Sequence, residues 1–123
     1  MKKSISVFKS GDRKFVRYLG KDGQNNPNGD AWIARLVGAD LSDTMGAGVV
    51  VYEKVTVDWN LAFDEVITLI EGKLRIYSGG STFDLVPGDM AWFPARTPLT
   101  YEVSDRAVVS YAVYPMPQQQ QTT

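Results

Sequence analysis

The sequence predicts an all-β chain folded as one domain, an antiparallel β-barrel or jelly roll. Three observations carry this. Val49, Val51, Glu53, Val55, Val57 and Trp59 alternate with Val50, Tyr52, Lys54, Thr56 and Asp58, a period of two that a helix cannot satisfy. Short strand-like runs follow one another, each bounded by turn residues, as in sandwiches and barrels. No segment shows three turns of helical periodicity. Closing such strands into a barrel also removes the exposed sheet edges that invite aggregation.

The elements run in order as follows. Residues 1–17 form a basic N-terminal arm or strands, with Lys2, Lys3, Lys9, Arg13, Lys14 and Arg17 among the 13 basic residues of the chain and one acid, Asp12. Lysines of this kind are expected on an edge, where they discourage sheet-to-sheet pairing. Phe8 and Phe15 are the arm's only aromatics and no glycine-rich run accompanies the bases, so no nucleic-acid partner is expected. Lys21 to Asp30 is a loop dense in Gly, Asn, Asp and Pro. Strands are predicted at Ala31–Val37, Gly46–Trp59, Glu65–Ile70 and Leu74–Tyr77. Gly79-Gly80 then turns the chain into Thr82–Val86, a hairpin signal. After the turn Pro87-Gly88-Asp89 come Met90–Phe93, Leu99–Val103 and Ala107–Tyr114. Residues 1–116 form the barrel domain, and the glutamine-rich stretch 117–123 reads as a disordered tail.

Composition narrows the chemistry. The 123 residues include no Cys and no His, which removes thiolate and imidazole metal ligands, a cysteine nucleophile and the usual neutral-pH base. With a net charge of −1, no global field favours nucleic acid or an anionic membrane. The longest apolar runs are too short to span a bilayer, and no signal-peptide stretch follows the N-terminal lysines. The expectation is a cytoplasmic protein with no membrane partner.

Two spacings carry a resemblance. Glu65 is separated from Gly72 by six residues, and Gly88 from Pro94 by five. These match the two motifs of cupins, and together with the turns between them they cover residues 53–103, with strands extending the match to about residue 115. Within that superfamily the run Glu53 to Val66, with Trp59, Leu61, Phe63, Asp64 and Glu65, resembles the barrel domain of EutQ-like ethanolamine-utilisation proteins. Phe93-Pro94-Ala95-Arg96 stands where that group has a Phe-Pro-Lys-Gly type of corner. The resemblance implies an RmlC-like jelly roll and, as in EutQ-like proteins, no metal-binding histidines. One motif alignment puts the ligand positions at Trp59 and Leu61, the other at Asp58 and Asn60, and the third at Leu99. Strand parity favours Trp59 and Leu61. Only Glu65 then remains of the ligand set, too few for a transition-metal site, and no cofactor is expected. A hard-cation site from Asp58, Asp64 and Glu65 is the alternative.

The candidate site follows. Glu65 and Glu53 are the candidate catalytic acid and base, two carboxyls on apolar inward faces. Trp59 and Trp92 are candidate pocket walls, Tyr101 a hydrogen-bond donor, and Arg96 a fork for a carboxylate or phosphate. Two functions stand open. In the first, the barrel binds, or binds and acts on, a small polar or anionic metabolite. In the second it is a non-catalytic interaction or sensor module, a homodimer formed through an outer face bearing Val50, Val66, Thr68 and Ile70. The resemblance implies acetate or phosphate transfer, but the sequence holds no phosphate-cradling glycine loop.

Overall fold

A computed structural model describes residues 4–18 and 29–116. Most of the polar loop expected at 21–30 and the whole tail 117–123 lie outside the described residues. Eight strands follow in order: β1 (Val16–Arg17), β2 (Asp30–Val37), β3 (Gly46–Asn60), β4 (Asp64–Gly72), β5 (Leu74–Ser78), β6 (Ser81–Leu85), β7 (Met90–Phe93) and β8 (Pro98–Tyr114). Among the described residues the one helical feature is a 3-10 turn, Ser10–Asp12. Among the described residues the basic arm joins the sheet at Val16–Arg17, where Arg17 pairs with Asp30 and lies over the Trp32 ring at 5.4 Å. The two strands expected at Leu99–Val103 and Ala107–Tyr114 are a single strand of 17 residues, β8.

Turn chemistry accounts for the short connections. Gly79 and Gly80 take φ of 58° and 82°, the left-handed pair of a type I′ hairpin, which brings Ser78 opposite Ser81. After β6, Asp89 accepts a hydrogen bond from the Val86 amide at 2.9 Å, and Gly88 sits at φ 98°. The Asp89 amide donates back to the Val86 carbonyl, closing the turn, which then hydrogen-bonds to Leu69 of β4 through the Gly88 N–H and the Asp89 carbonyl.

All pairings are antiparallel, in the order β1-β2-β3-β8-β4-β7, with the β5–β6 hairpin joined to β8. β3 and β8 pair along almost their full lengths. β8 also lends Ala107–Tyr114 to β4 and Thr100–Glu102 to β5. The two long strands therefore belong to both faces of the barrel, and they bend where the faces meet. At the bend the register slips between Glu53 and Val55, and Lys54 adopts a left-handed φ of 50°. Gly72 lies against the same bend at φ 86°, and a Cβ there would stand 1.9 Å from the Arg106 carbonyl oxygen. Only glycine fits.

The slip changes which residues of β3 point inward. Val50 and Tyr52 before the bend, and Val55 and Trp59 after it, all belong to one buried cluster with Ile33, Ile67, Leu69, Leu74, Ile76, Phe93, Leu99, Tyr101, Val103 and Val109. Unbroken alternation placed Val50 and Tyr52 opposite Trp59; the bulge unites them. Val50 accordingly leaves the outer face proposed for dimerisation, while Val66, Thr68 and Ile70 remain on it.

Candidate functional site

β4 alternates Glu65, Ile67 and Leu69 toward the interior with Asp64, Val66 and Thr68 away from it. Glu65 lies opposite Phe93 of β7 and Val113 of β8, and it is largely buried. Burial raises its carboxyl from the ordinary 4.5 to about 7, because removing water penalises the ionised form. Four tyrosines share its surroundings: Tyr18 after β1, Tyr52 on β3, and Tyr101 and Tyr111 on β8. Burial raises all four hydroxyls well into the alkaline range, and the charge on Glu65 raises each further. They stay neutral at physiological pH and serve as hydrogen-bonding hydroxyls.

Aromatic packing fixes this interior. Trp59 stacks on Tyr18 with ring centroids 5.7 Å apart, and Tyr101 meets Tyr52 edge-on at 5.5 Å and Phe93 at 6.1 Å. Rings in these arrangements gain about 0.5–1.5 kcal/mol per pair beyond their burial. Toward solvent the wall becomes polar. Arg35 of β2 is exposed and its guanidinium lies 5.9 Å from the Tyr18 ring centre, and its positive charge lowers both Tyr18 and Tyr111. Gly48 makes room for Tyr111: a Cβ at Gly48 would lie 2.8 Å from the Tyr111 hydroxyl and 2.3 Å from the Ala34 carbonyl oxygen. Glu65, Tyr18 and Tyr111 are each partly accessible, and exposed Arg35 borders Tyr18 and bears on Tyr111. This is the mouth of the barrel.

The predicted site residues divide. Glu65, Trp59 and Tyr101 are inside, although Tyr101 is 2% exposed and sits in the core instead of flanking the mouth. Glu53 is not inside. It lies beyond the slip at Lys54, half-exposed on the outer surface, 3.6 Å from Arg106, whose guanidinium also donates to Glu71 at 2.8 Å. The acid–base pair of Glu53 and Glu65 is therefore not assembled, and Glu65 stands without it. Trp92 is not a pocket wall: it is 63% exposed on the outer face of β7, and its neighbour Phe93 takes the inward place. Arg96 occupies a tight turn at φ 65°, donates its backbone N–H to the Leu61 carbonyl and has an exposed side chain.

The carboxylates weighed for a hard cation are also separated. Asp58 accepts from the Thr100 hydroxyl at 2.7 Å, and Asp64 accepts from the Ala95 amide at 2.8 Å and so caps the turn after β7. Among the described residues no group of three or more acidic, His or Cys side chains is placed to hold a metal ion. Trp59 and Leu99 face each other across β3 and β8, and both are buried apolar groups. Three contributors at the mouth, Arg35, Tyr18 and Tyr111, and the buried Tyr52 behind them were not singled out by the sequence. Arg35 had a signal, since it is the one charged residue in phase with Ala31 and Ile33.

A family model described as the ethanolamine utilisation protein EutQ matches residues 2–120. An acetate kinase EutQ from Clostridioides difficile (strain 630) is 28% identical over 90 residues, covering 73% of this chain and 57% of that protein. The chain thus spans little more than half the length of this relative. The solved Clostridium difficile EutQ structure superposes with a TM-score of 0.71 at 27% identity, over 79% of this chain and 71% of that one. An RmlC-like cupin from Shewanella frigidimarina superposes with a TM-score of 0.70 over 98% and 99% of the two chains, at 11% identity, a likeness of fold alone. With the family model spanning almost the whole sequence, and with this jelly-roll barrel beneath it, the chain belongs to the EutQ family of cupins.

Proposed function

We propose that the barrel mouth binds a small polar metabolite without a metal ion, and that Glu65 exchanges a proton with it. The observation that carries the reading is the place of Glu65: an inward carboxyl brought to half-ionisation near neutral pH by burial, among four neutral tyrosine hydroxyls. A group that titrates close to the working pH is the most effective acid–base partner. Arg35 at the rim offers a planar fork to an anionic end of the same molecule. Membership of the EutQ family supports a part for the domain in ethanolamine utilisation. The acetate kinase named for the longer relative requires phosphoryl transfer. That step is not carried over, because the chain shows no glycine-rich phosphate loop.

The experiment is a ligand screen by thermal shift on wild type and Glu65→Gln. Gln keeps the shape of Glu but holds no exchangeable acid proton. A metabolite that stabilises the wild type, and fails to stabilise an otherwise folded Glu65→Gln, supports the reading; equal stabilisation of both refutes it.

A second reading concerns assembly. Met90, Trp92 and Tyr114 are 67%, 63% and 57% exposed, and Val66 lies directly between Trp92 and Ala112 on the same outer face. An apolar strip at the β7 edge of the sheet favours a closed two-fold homodimer.

A further inference from the structure

We infer that the N-terminal arm of one copy, residues 4–9, lies as an added strand along the free β6 and β7 edges of a second copy. This rests on the two-fold homodimer and names the segments that hold it together. The seam is visible in the strand order. β6 pairs with β5 and β7 with β4, and among the described residues neither has a strand on its other edge. Unpaired edges present a row of free N–H and C=O groups, a template for another strand. Phe83 marks the gap. It lies directly opposite Ile76 and shares its inward face, yet Ile76 is buried and Phe83 is 52% exposed. Exposed Val86 and Met90 continue this apolar surface from β6 to β7.

The arm is complementary to it. Ile5 and Val7 alternate with Ser4 and Ser6, the pattern of a strand with one face buried and the other in water. A single copy does not provide that burial: Ile5 is 90% exposed and Val7 71%. These residues precede the 3-10 turn and belong to no strand, and the backbone at Lys9 is already extended, with φ −76° and ψ 145°. Charge favours the same match. Residues 1–17 hold six bases and one acid, whereas residues 79–93 hold Asp84 and Asp89 and no base. Asp84 is shared with Arg75 of its own sheet, and Asp89 is exposed. Each copy offers one arm and one seam, so mutual exchange closes on two copies.

Light scattering reads the assembly, and cross-linking reads the contact. The full-length variant Ile5→Asp/Val7→Asp changes two side chains that already face water in one copy. Its near-ultraviolet dichroism should therefore match wild type, while its dimer dissociation constant rises at least about 100-fold. The chain has no cysteine, so Ser6→Cys/Thr82→Cys can be treated with a short bis-maleimide without background. Peptides containing positions 6 and 82 should be linked in the covalent dimer and unlinked in the monomer band. The same link in the monomer band, or no link, overturns the exchange, as does a dimer that survives Ile5→Asp/Val7→Asp. Splitting of that surviving dimer by Trp92→Glu would leave the outer-face strip as its interface. A monomeric wild type overturns the exchange and the homodimer together.

Discussion

Replacing Glu65 by Gln should abolish the pH dependence of stability that this one carboxyl imposes. In the folded chain it titrates at about 7, and in the unfolded chain near 4.5. Between those values the native state binds more protons than the unfolded state, so stability falls as pH rises. The direction is opposite to that of an ordinary salt-bridged acid. Below about pH 4.5 both states are protonated and the group costs nothing; above about pH 7 both are ionised and the full cost applies. At about 1.4 kcal/mol per pKa unit the cost reaches roughly 2–3 kcal/mol once partial contact with water is allowed for. Glu65→Gln has no such titration, so its stability relative to wild type should improve by that amount between pH 5 and pH 8. For a domain of this size the relative gain corresponds to about 6–12 °C in melting temperature. Differential scanning calorimetry of both proteins at the two pH values measures it, and other titrating groups cancel in the comparison. Parallel pH profiles for the two proteins would refute the placement of Glu65 in the interior.

Gly72→Ala should lower the urea midpoint by an amount equivalent to at least about 2 kcal/mol, from left-handed backbone and collision with the Arg106 carbonyl. Gly79→Ala, also left-handed but facing open space, should cost only about 1 kcal/mol; equal losses would discredit the close approach at the bend. Elemental analysis of the purified protein should find well below one equivalent of zinc, iron, nickel or manganese, since Trp59, Leu61 and Leu99 offer no donor atoms. Light scattering at tens of micromolar should give a dimer mass that Trp92→Glu reduces to a monomer; a monomeric wild type would defeat the apolar-strip reading.

Strand positions were legible because alternation and turn residues are local properties. The hairpin at Gly79-Gly80, the turn at Pro87-Gly88-Asp89, and the inward run of Glu65, Ile67 and Leu69 all follow from a few neighbouring residues. Glu53 was misplaced for a reason that is not local. The slip at the bend depends on β8 passing over β3, and Lys54 is no residue type that advertises left-handed backbone. One shifted residue exchanged the two faces of half a strand. Trp92 failed differently: Met90-Ala91-Trp92-Phe93 is apolar on both parities, so pattern alone could not choose which face turned inward. The tyrosines at the mouth come from segments distant in sequence, and only the closed barrel brings them to Glu65.

The position of β8 in the chain governs how the protein can fold. Its partners β3, β4 and β5 all precede it, and β3 meets it across separations of 38 to 67 residues. During synthesis those three strands emerge long before Pro98–Tyr114 exists to join them. The β5–β6 hairpin can form early from local contacts, whereas the pairing of β3 must wait. Such high contact order slows the final collapse to milliseconds or longer. In that interval the valine-rich edge from Val49 to Val57 is exposed to other chains, which makes it the segment most in need of chaperone protection.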